Sequence, residues 1–316
     1  MAKVSCRRAI MQALEALAER DASICMVATD SRGSAAASGF AQKFPDRFIE
    51  AGIAEQNAVG IASGLASTGR TVFVVSPASF LSARSYEQLK VDVAYNRSNV
   101  KAVGVSAGVS YGPLGGTHTA LGDIAALRAL PNIEVFAPSD AAQARAIAQY
   151  LARSAGPAYV RIGRGDVEAV YGEGEAFDMR GAKLVRDGSD LTIVACGEMV
   201  WHAKQAAALL AGEGVSARVL DMFRIKPADS AAVARAARET GRIVTVEEHS
   251  VHGGLGELVC AIAARSCPVP VRVLGFPDEE CKVGKSGELF RHYGLDAQGI
   301  AGAALECLGG RAGCAG

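Results

Sequence analysis

Apolar residues along the chain fall into two patterns: short continuous runs, and longer stretches in which they recur every three or four positions. Ile10, Leu14 and Leu17 share one face of residues 5–20, which predicts an amphipathic helix. Residues 24–29 form a continuous apolar run of the kind buried on both faces of a parallel sheet. Short, mainly apolar stretches at 71–75, 100–105, 133–136 and 158–162 predict further strands. Between them, Val59, Ala62 and Ala66 predict a helix whose first turn holds Glu55. Residues 80–94 read as another helix, and Ser139-Asp140 supplies the N-cap and first-turn acid of a third. This alternation predicts an α/β fold, a mostly parallel sheet with helices on both faces. Residues 166–181, rich in Gly, Asp and Glu and without periodicity, read as a linker. A second alternating series follows, with strands at 191–195, 217–220, 243–246 and 271–274 and helices near 198–212, 228–239, 255–265 and 297–308. The expected organisation is one domain over 1–165, a linker over 166–181 and a second α/β domain over 182–316.

Composition narrows the class. With 316 residues, 50% of them apolar, the chain can bury two proper cores. Lys+Arg and Asp+Glu are both 33, so no charge surplus points to nucleic acid or a membrane surface. The start lacks a signal-peptide pattern, and no apolar run approaches the roughly 20 residues of a membrane span, so a cytoplasmic protein is expected. The 8 cysteines include no Cys-x-x-Cys pair and read as reduced thiols. His249 and His252 have metal-like spacing but no second pair of ligands, so no metal is expected on this chain. Neither a Gly-x-Gly-x-x-Gly fingerprint nor a Gly-Lys-Ser/Thr phosphate loop occurs, which leaves a nucleotide-binding domain unsupported.

Two stretches carry candidate chemistry. In Gly52-Ile53-Ala54-Glu55-Gln56-Asn57, a carboxylate opens a largely buried helix, where a charge without a partner is costly. Glu55 is a helix-start acid favoured by the dipole, a buried ion-pair member, or a functional carboxyl with a tuned pKa. In Ser110-Tyr111-Gly112-Pro113-Leu114-Gly115-Gly116-Thr117-His118, glycines allow sharp turns and close approach to a ligand. His118 ends that loop just before a helix and is either presented to a cleft or an ordinary polar surface residue. The loop at Asp30–Ser34 follows the first strand, at the sheet edge where open α/β folds bind ligands.

The Gly-Ile-Ala-Glu-Gln-Asn stretch resembles the signature of the pyrimidine-binding domain of transketolases and 1-deoxyxylulose-5-phosphate synthases. Further similar stretches occur in the same order: Phe44-Pro45-Asp46-Arg47-Phe48, Arg84-Ser85-Tyr86-Glu87-Gln88, Gly116-Thr117-His118, Arg128-Ala129-Leu130-Pro131-Asn132, Pro157-Ala158-Tyr159-Val160-Arg161 and Val246-Glu247-Glu248-His249-Ser250 with Gly253-Gly254-Leu255-Gly256. Residues 1–165 look like the pyrimidine-binding domain and 182–316 like the transketolase C-terminal domain. The family's diphosphate-binding domain carries a Gly-Asp-Gly triplet, which this chain lacks. The resemblance therefore implies the second subunit of a split transketolase, with a partner N-terminal subunit that holds the diphosphate and Mg²⁺, in an α2β2 heterotetramer. It implies thiamine diphosphate as cofactor and a ketose phosphate as donor. By the same resemblance, Glu55 activates the cofactor at the aminopyrimidine N1′, favouring the imino tautomer whose nitrogen takes the C2 proton; this needs a protonated, poorly solvated carboxyl. Phe80 would stack on the pyrimidine ring, and Asp30 would lie near the cofactor. His118 would contact substrate oxygens, and Arg164, Ser34 and Arg7 would hold the phosphate.

Three positions depart from the family pattern. Leu114 stands where many members have an Asp that reads sugar hydroxyls, Ser106 where a phosphate-contacting His is frequent, and Pro77 where a first aromatic is expected near the cofactor. These imply retained cofactor machinery and an altered acceptor site. Two other enzymatic readings share this layout: the β subunit of a 2-oxo acid dehydrogenase E1 component and a 1-deoxyxylulose-5-phosphate synthase-like condensing enzyme. A regulatory or scaffold subunit is the non-enzymatic alternative, disfavoured by the joint presence of Glu55, Phe80 and His118.

Overall fold

The computed structural model describes residues 3–309. The continuous apolar runs form strands. Those of the first series are β1 (Ile24–Ala28), β2 (Phe48–Glu50), β3 (Thr71–Pro77), β4 (Val100–Val105), β5 (Glu134–Phe136) and β6 (Ala158–Ile162). The second series gives β7 (Lys183–Arg186), β8 (Leu191–Ala195), β9 (Ala217–Asp221), β10 (Arg224–Lys226), β11 (Ile243–Ser250) and β12 (Val271–Phe276). β1, β4, β6 and β8 are buried along their whole length, as mainly apolar strands covered on both faces are, and the buried Lys101 of β4 and Arg161 of β6 have hydrogen-bond partners.

Two sheets result. One has seven strands in the order β10-β5-β6-β4-β3-β1-β2, and the other has five in the order β12-β11-β8-β9-β7. Pairings are parallel except at one edge of each sheet, where β10 joins β5 and β7 joins β9 antiparallel. β10 lies beyond residue 182 in sequence, so the seven-stranded sheet borrows its edge strand from the second half of the chain. Residues 166–181 are not loose: Val170 and Tyr171 are buried, and their amides donate to Asp140 Oδ2 at 2.9 and 2.8 Å. That carboxylate also caps helix Ala141–Arg153 by accepting from Gln143 N at 3.0 Å.

The continuous helix expected over 80–94 is a correction. Helix Ala78–Ala83 ends, a short turn at Tyr86–Gln88 follows, and Leu89–Tyr95 winds as a π-helix. Ser82 and Ser85 donate their hydroxyls to carbonyls four residues back, at 2.7 and 2.6 Å, a bond that bends helices. Ser63 and Ser98 hydroxyls both donate to the Asp92 carbonyl, at 2.7 and 2.6 Å. No helix among the described residues is long and apolar enough to cross a membrane. The described cysteines are all free thiols; Cys314 lies outside the described residues.

Candidate active site

The carboxyl ends of four parallel strands supply most of the site. β1 leads to Asp30–Ser34, β3 to the helix bearing Phe80, β4 to Ser106 and the glycine-rich loop, and β6 to Arg164. Glu55 opens helix Glu55–Ser67, and Arg7 lies in the first turn of helix Cys6–Ala18.

Four of the seven residues singled out from the sequence, Glu55, Phe80, His118 and Arg164, join one series of contacts, and the bonded pair Arg7 and Ser34 stands near its Arg164 end, where the two guanidinium charges act on each other. Glu55 is 2% exposed and Oε2 accepts from Arg84 Nη1 at 2.6 Å, while Arg84 is 46% exposed, so the structure pairs with a guanidinium the carboxyl that the resemblance implied to be protonated. Its other oxygen accepts no hydrogen bond among the described residues. The Arg84 guanidinium lies 4.7 Å from the Phe80 ring centroid. Phe80 meets the His118 imidazole edge-on, with centroids 5.3 Å apart, and His118 meets Tyr111 in the same manner at 5.9 Å. Arg164 stacks over Tyr111 at 4.9 Å. Arg7 donates to the Ser34 carbonyl, and its proton affinity is lowered first by burial and then by the adjacent Arg164 guanidinium. Its Nε has no hydrogen-bond partner among the described residues. His118 Nδ1 is engaged by the Thr117 hydroxyl at 2.9 Å, which leaves Nε2 for a ligand. One end of the series is thus a buried carboxyl beside an aromatic face, and the other a pair of guanidiniums.

Asp30 stands apart from this series. It is exposed, adopts φ of 51°, and its amide donates to Glu50 Oε1 at 2.6 Å. Ser106 follows β4 and is buried, at φ of 55°, with its hydroxyl unpartnered among the described residues. Such backbone strain in a non-glycine residue is concentrated at functional sites. Leu114 is 55% exposed at the rim of the loop, and Pro77 closes β3 half-buried. The sequence pattern assigns no role to Arg84 or Tyr111. Arg84 was recoverable, since it lies four residues after Phe80 and such pairs share a helix face; Tyr111 had no signal beyond its place in the loop. No group of three or more His, Cys, Asp or Glu side chains comes together as a metal site among the described residues.

A family model of the transketolase pyrimidine-binding domain matches residues 2–169, and one of the transketolase C-terminal domain matches residues 181–300. The chain belongs to the transketolase family. It is 50% identical over 305 residues to an apulose-4-phosphate transketolase subunit of Phocaeicola vulgatus, covering 96% of this chain and 97% of that one. It is 38% identical to the 6-deoxy-6-sulfo-D-fructose transketolase subunit SqwH of a Clostridium species, covering 92% of this chain and 90% of that one. Among solved structures it superposes on a split gene transketolase described as an inactive beta4 tetramer, with TM-score 0.88 and 38% identity over 97% of this chain and 99% of that one.

Behind the row of site residues, this transketolase-family chain buries a polar cluster at the seam between its two sheets. Arg161 of β6 donates Nε to Asp123 at 3.0 Å, pairs with Glu248 Oε2 at 3.7 Å and donates Nη2 to the Ala120 carbonyl at 3.2 Å. Tyr159 donates its hydroxyl to the same Asp123 at 2.7 Å. Glu248 lies on β11, and burial raises its carboxyl, an effect Arg161 opposes. Glu198, at the head of helix Met199–Gly212, is pushed up to about 8 by burial and by Glu248. Glu247 accepts from the Leu255 and Gly256 amides, both at 2.7 Å, at the start of the next helix. His249, expected not to bind metal, is buried: Nδ1–H donates to the Ser250 carbonyl at 2.8 Å and Nε2 accepts from the Ala125 amide at 3.3 Å, the pattern of a neutral ring. Burial correspondingly lowers its pKa.

Proposed function

We propose that this chain is the second subunit of a split transketolase, which transfers a ketol unit from a ketose phosphate, or a ketose with another terminal anion, to an aldose acceptor. The observation that carries the reading is the single row of contacts from the buried Glu55 through Phe80 and His118 to Arg164, with the Arg7 guanidinium near enough to feel the charge of Arg164. An acid, an aromatic face, an imidazole and an anion-holding pair stand in the order that a cofactor ring, a sugar and its charged terminus would need. The names of two relatives, with a phosphate in one substrate and a sulfo group in the other, support an anionic terminus.

Thiamine diphosphate, when bound, supplies the electron sink for cleaving the donor's carbon–carbon bond. The chain's own residues do the rest. Glu55, with one oxygen held by Arg84, presents the other to the aminopyrimidine and exchanges a proton at N1′. Phe80 offers a face for the pyrimidine ring, and Asp30 borders the same sheet edge. His118 turns Nε2 to the sugar hydroxyls while Thr117 fixes Nδ1. Arg164 and Arg7 hold the phosphate or sulfonate, joined by Ser34; the unpartnered Arg7 Nε fits such an anion. Leu114 places an apolar group at the acceptor rim. The diphosphate and Mg²⁺ belong to an N-terminal subunit in an α2β2 assembly. The split gene relative, inactive as a beta4 tetramer, supports a need for that partner.

The test is reconstitution with the diphosphate-binding subunit, Mg²⁺ and thiamine diphosphate. Aldose-dependent cleavage of a ketose phosphate is expected. Decarboxylation of pyruvate without ketol transfer would overturn the reading in favour of a 2-oxo acid enzyme.

A further inference from the structure

The two loops that end in His118 and Arg164 both rest on carboxyl groups of the second half of the chain, reached through missing side chains. At Gly108, φ is +61° and a Cβ would overlap the Glu248 carboxyl. At Gly163, the residue before Arg164, a Cβ would overlap the Glu198 carboxyl. Glu248 Oε1 also accepts from the Val109 amide at 2.9 Å. The neighbouring Val109 carbonyl accepts from the Ser286 hydroxyl at 3.1 Å, and the Gly284 amide donates to the Gly112 carbonyl at 3.4 Å. Leu289 is buried, and a Cβ at Gly112 would run into both its Cδ1 and the Gly284 carbonyl. Glu248 is itself fixed by Arg161, which Asp123 anchors.

We propose that Glu248, Glu198 and Ser286 are positioning residues: the second domain sets the placement of His118 and Arg164 through Gly108, Val109 and Gly163. None of the three residues hydrogen-bonds to a side chain of the row among the described residues. Each acts through backbone at the base of a loop, so the second domain is a template for substrate-binding geometry.

Hydrogen exchange on the full chain tests this without turnover. Glu248→Gln and Ser286→Ala should speed exchange of the amides at 109–118 by about tenfold while the strands keep their protection. Unchanged exchange there in both variants overturns the proposal. Ser286 is only half-buried, so its variant folds even if Glu248→Gln does not.

The kinetic arm rests on the ketol-transfer reading and uses the complex with the diphosphate-binding subunit. Ser286→Ala should raise donor KM by about tenfold, with kcat within about twofold and cofactor affinity unchanged. Gly163→Ala should raise KM for fructose 6-phosphate and 6-deoxy-6-sulfo-D-fructose by more than for fructose, because Arg164 is the site residue next to the strained position. Equal losses on all three sugars, or a fall in kcat at constant KM, would count against positioning. A wild-type complex without ketol transfer would overturn the functional reading, and the exchange result would still decide this one.

Discussion

Glu55 pairs with Arg84 at 2.6 Å although the guanidinium is half in water and the carboxylate is not. The pair resolves how a buried acid is tolerated at the head of an otherwise apolar helix. It also ties the acid to the aromatic that Arg84 covers. Glu55→Gln keeps shape and a hydrogen bond to Arg84 but cannot exchange the proton. Turnover of the reconstituted enzyme should fall by about 10²–10⁴-fold with the thermal midpoint nearly unchanged. A mutant that retained most of its kcat would make Glu55 structural. His118→Ala should lower kcat/KM for sugar and leave cofactor affinity alone, because in the proposed reaction the proton exchange runs through Glu55. Leu114→Asp should sharpen discrimination between two epimeric acceptors, since a polar group left unpaired penalises the wrong hydroxyl. Steady-state kinetics with an epimer pair reads both variants, and an unchanged preference in the second would remove Leu114 from the acceptor site.

At the scale of elements, the seam between the sheets is built from side chains that three separate segments contribute. Asp221 ends β9 with no exposure; its Oδ2 accepts from the Tyr171 hydroxyl at 2.7 Å, Gln143 Nε2 at 2.9 Å and the Ser139 hydroxyl at 3.2 Å. Burial pushes its carboxyl up from 3.8 to about 7, against the effect of these donors. The folded chain therefore holds a proton that the unfolded chain has released between those two values. The stability this confers is complete below the ordinary carboxyl pKa and is lost as pH rises through about 7. Asp221→Asn should be destabilising at acid pH, and its disadvantage should shrink by roughly 2–3 kcal/mol between pH 5 and 8. Urea unfolding of both proteins at the two pH values measures it; a constant difference would mean that Asp221 does not carry the linkage.

For the whole molecule, the site lies along one edge of the seven-stranded sheet, and the five-stranded sheet braces it from behind. A Mg²⁺ site needs oxygen ligands beside the phosphates, and the described residues bring together no group of three or more His, Cys, Asp or Glu side chains. The isolated chain should therefore bind thiamine diphosphate poorly and show no turnover. Calorimetry with Mg²⁺ and cofactor checks this, and tight stoichiometric binding by the chain alone would defeat the split-enzyme reading.

Most of the parallel strands were legible in the sequence because each carries a run of mainly apolar residues, a property that needs no partner to be seen. The Glu55 helix, the glycine-rich loop and the resemblance they carried were legible for the same reason: each is a local pattern. Three short strands, β2, β7 and β10, were not, because each holds only one or two apolar residues and is fixed by pairing with a neighbouring strand. The break after Ala83 was hidden because serine hydroxyls compete with a helix only where their geometry allows. The Glu55–Arg84 pair, the stacking of Tyr111 between His118 and Arg164, and the grip of Glu248 and Glu198 on two glycines belong to the tertiary structure alone. They depend on distances between residues far apart in the chain, which periodicity does not encode and packing decides.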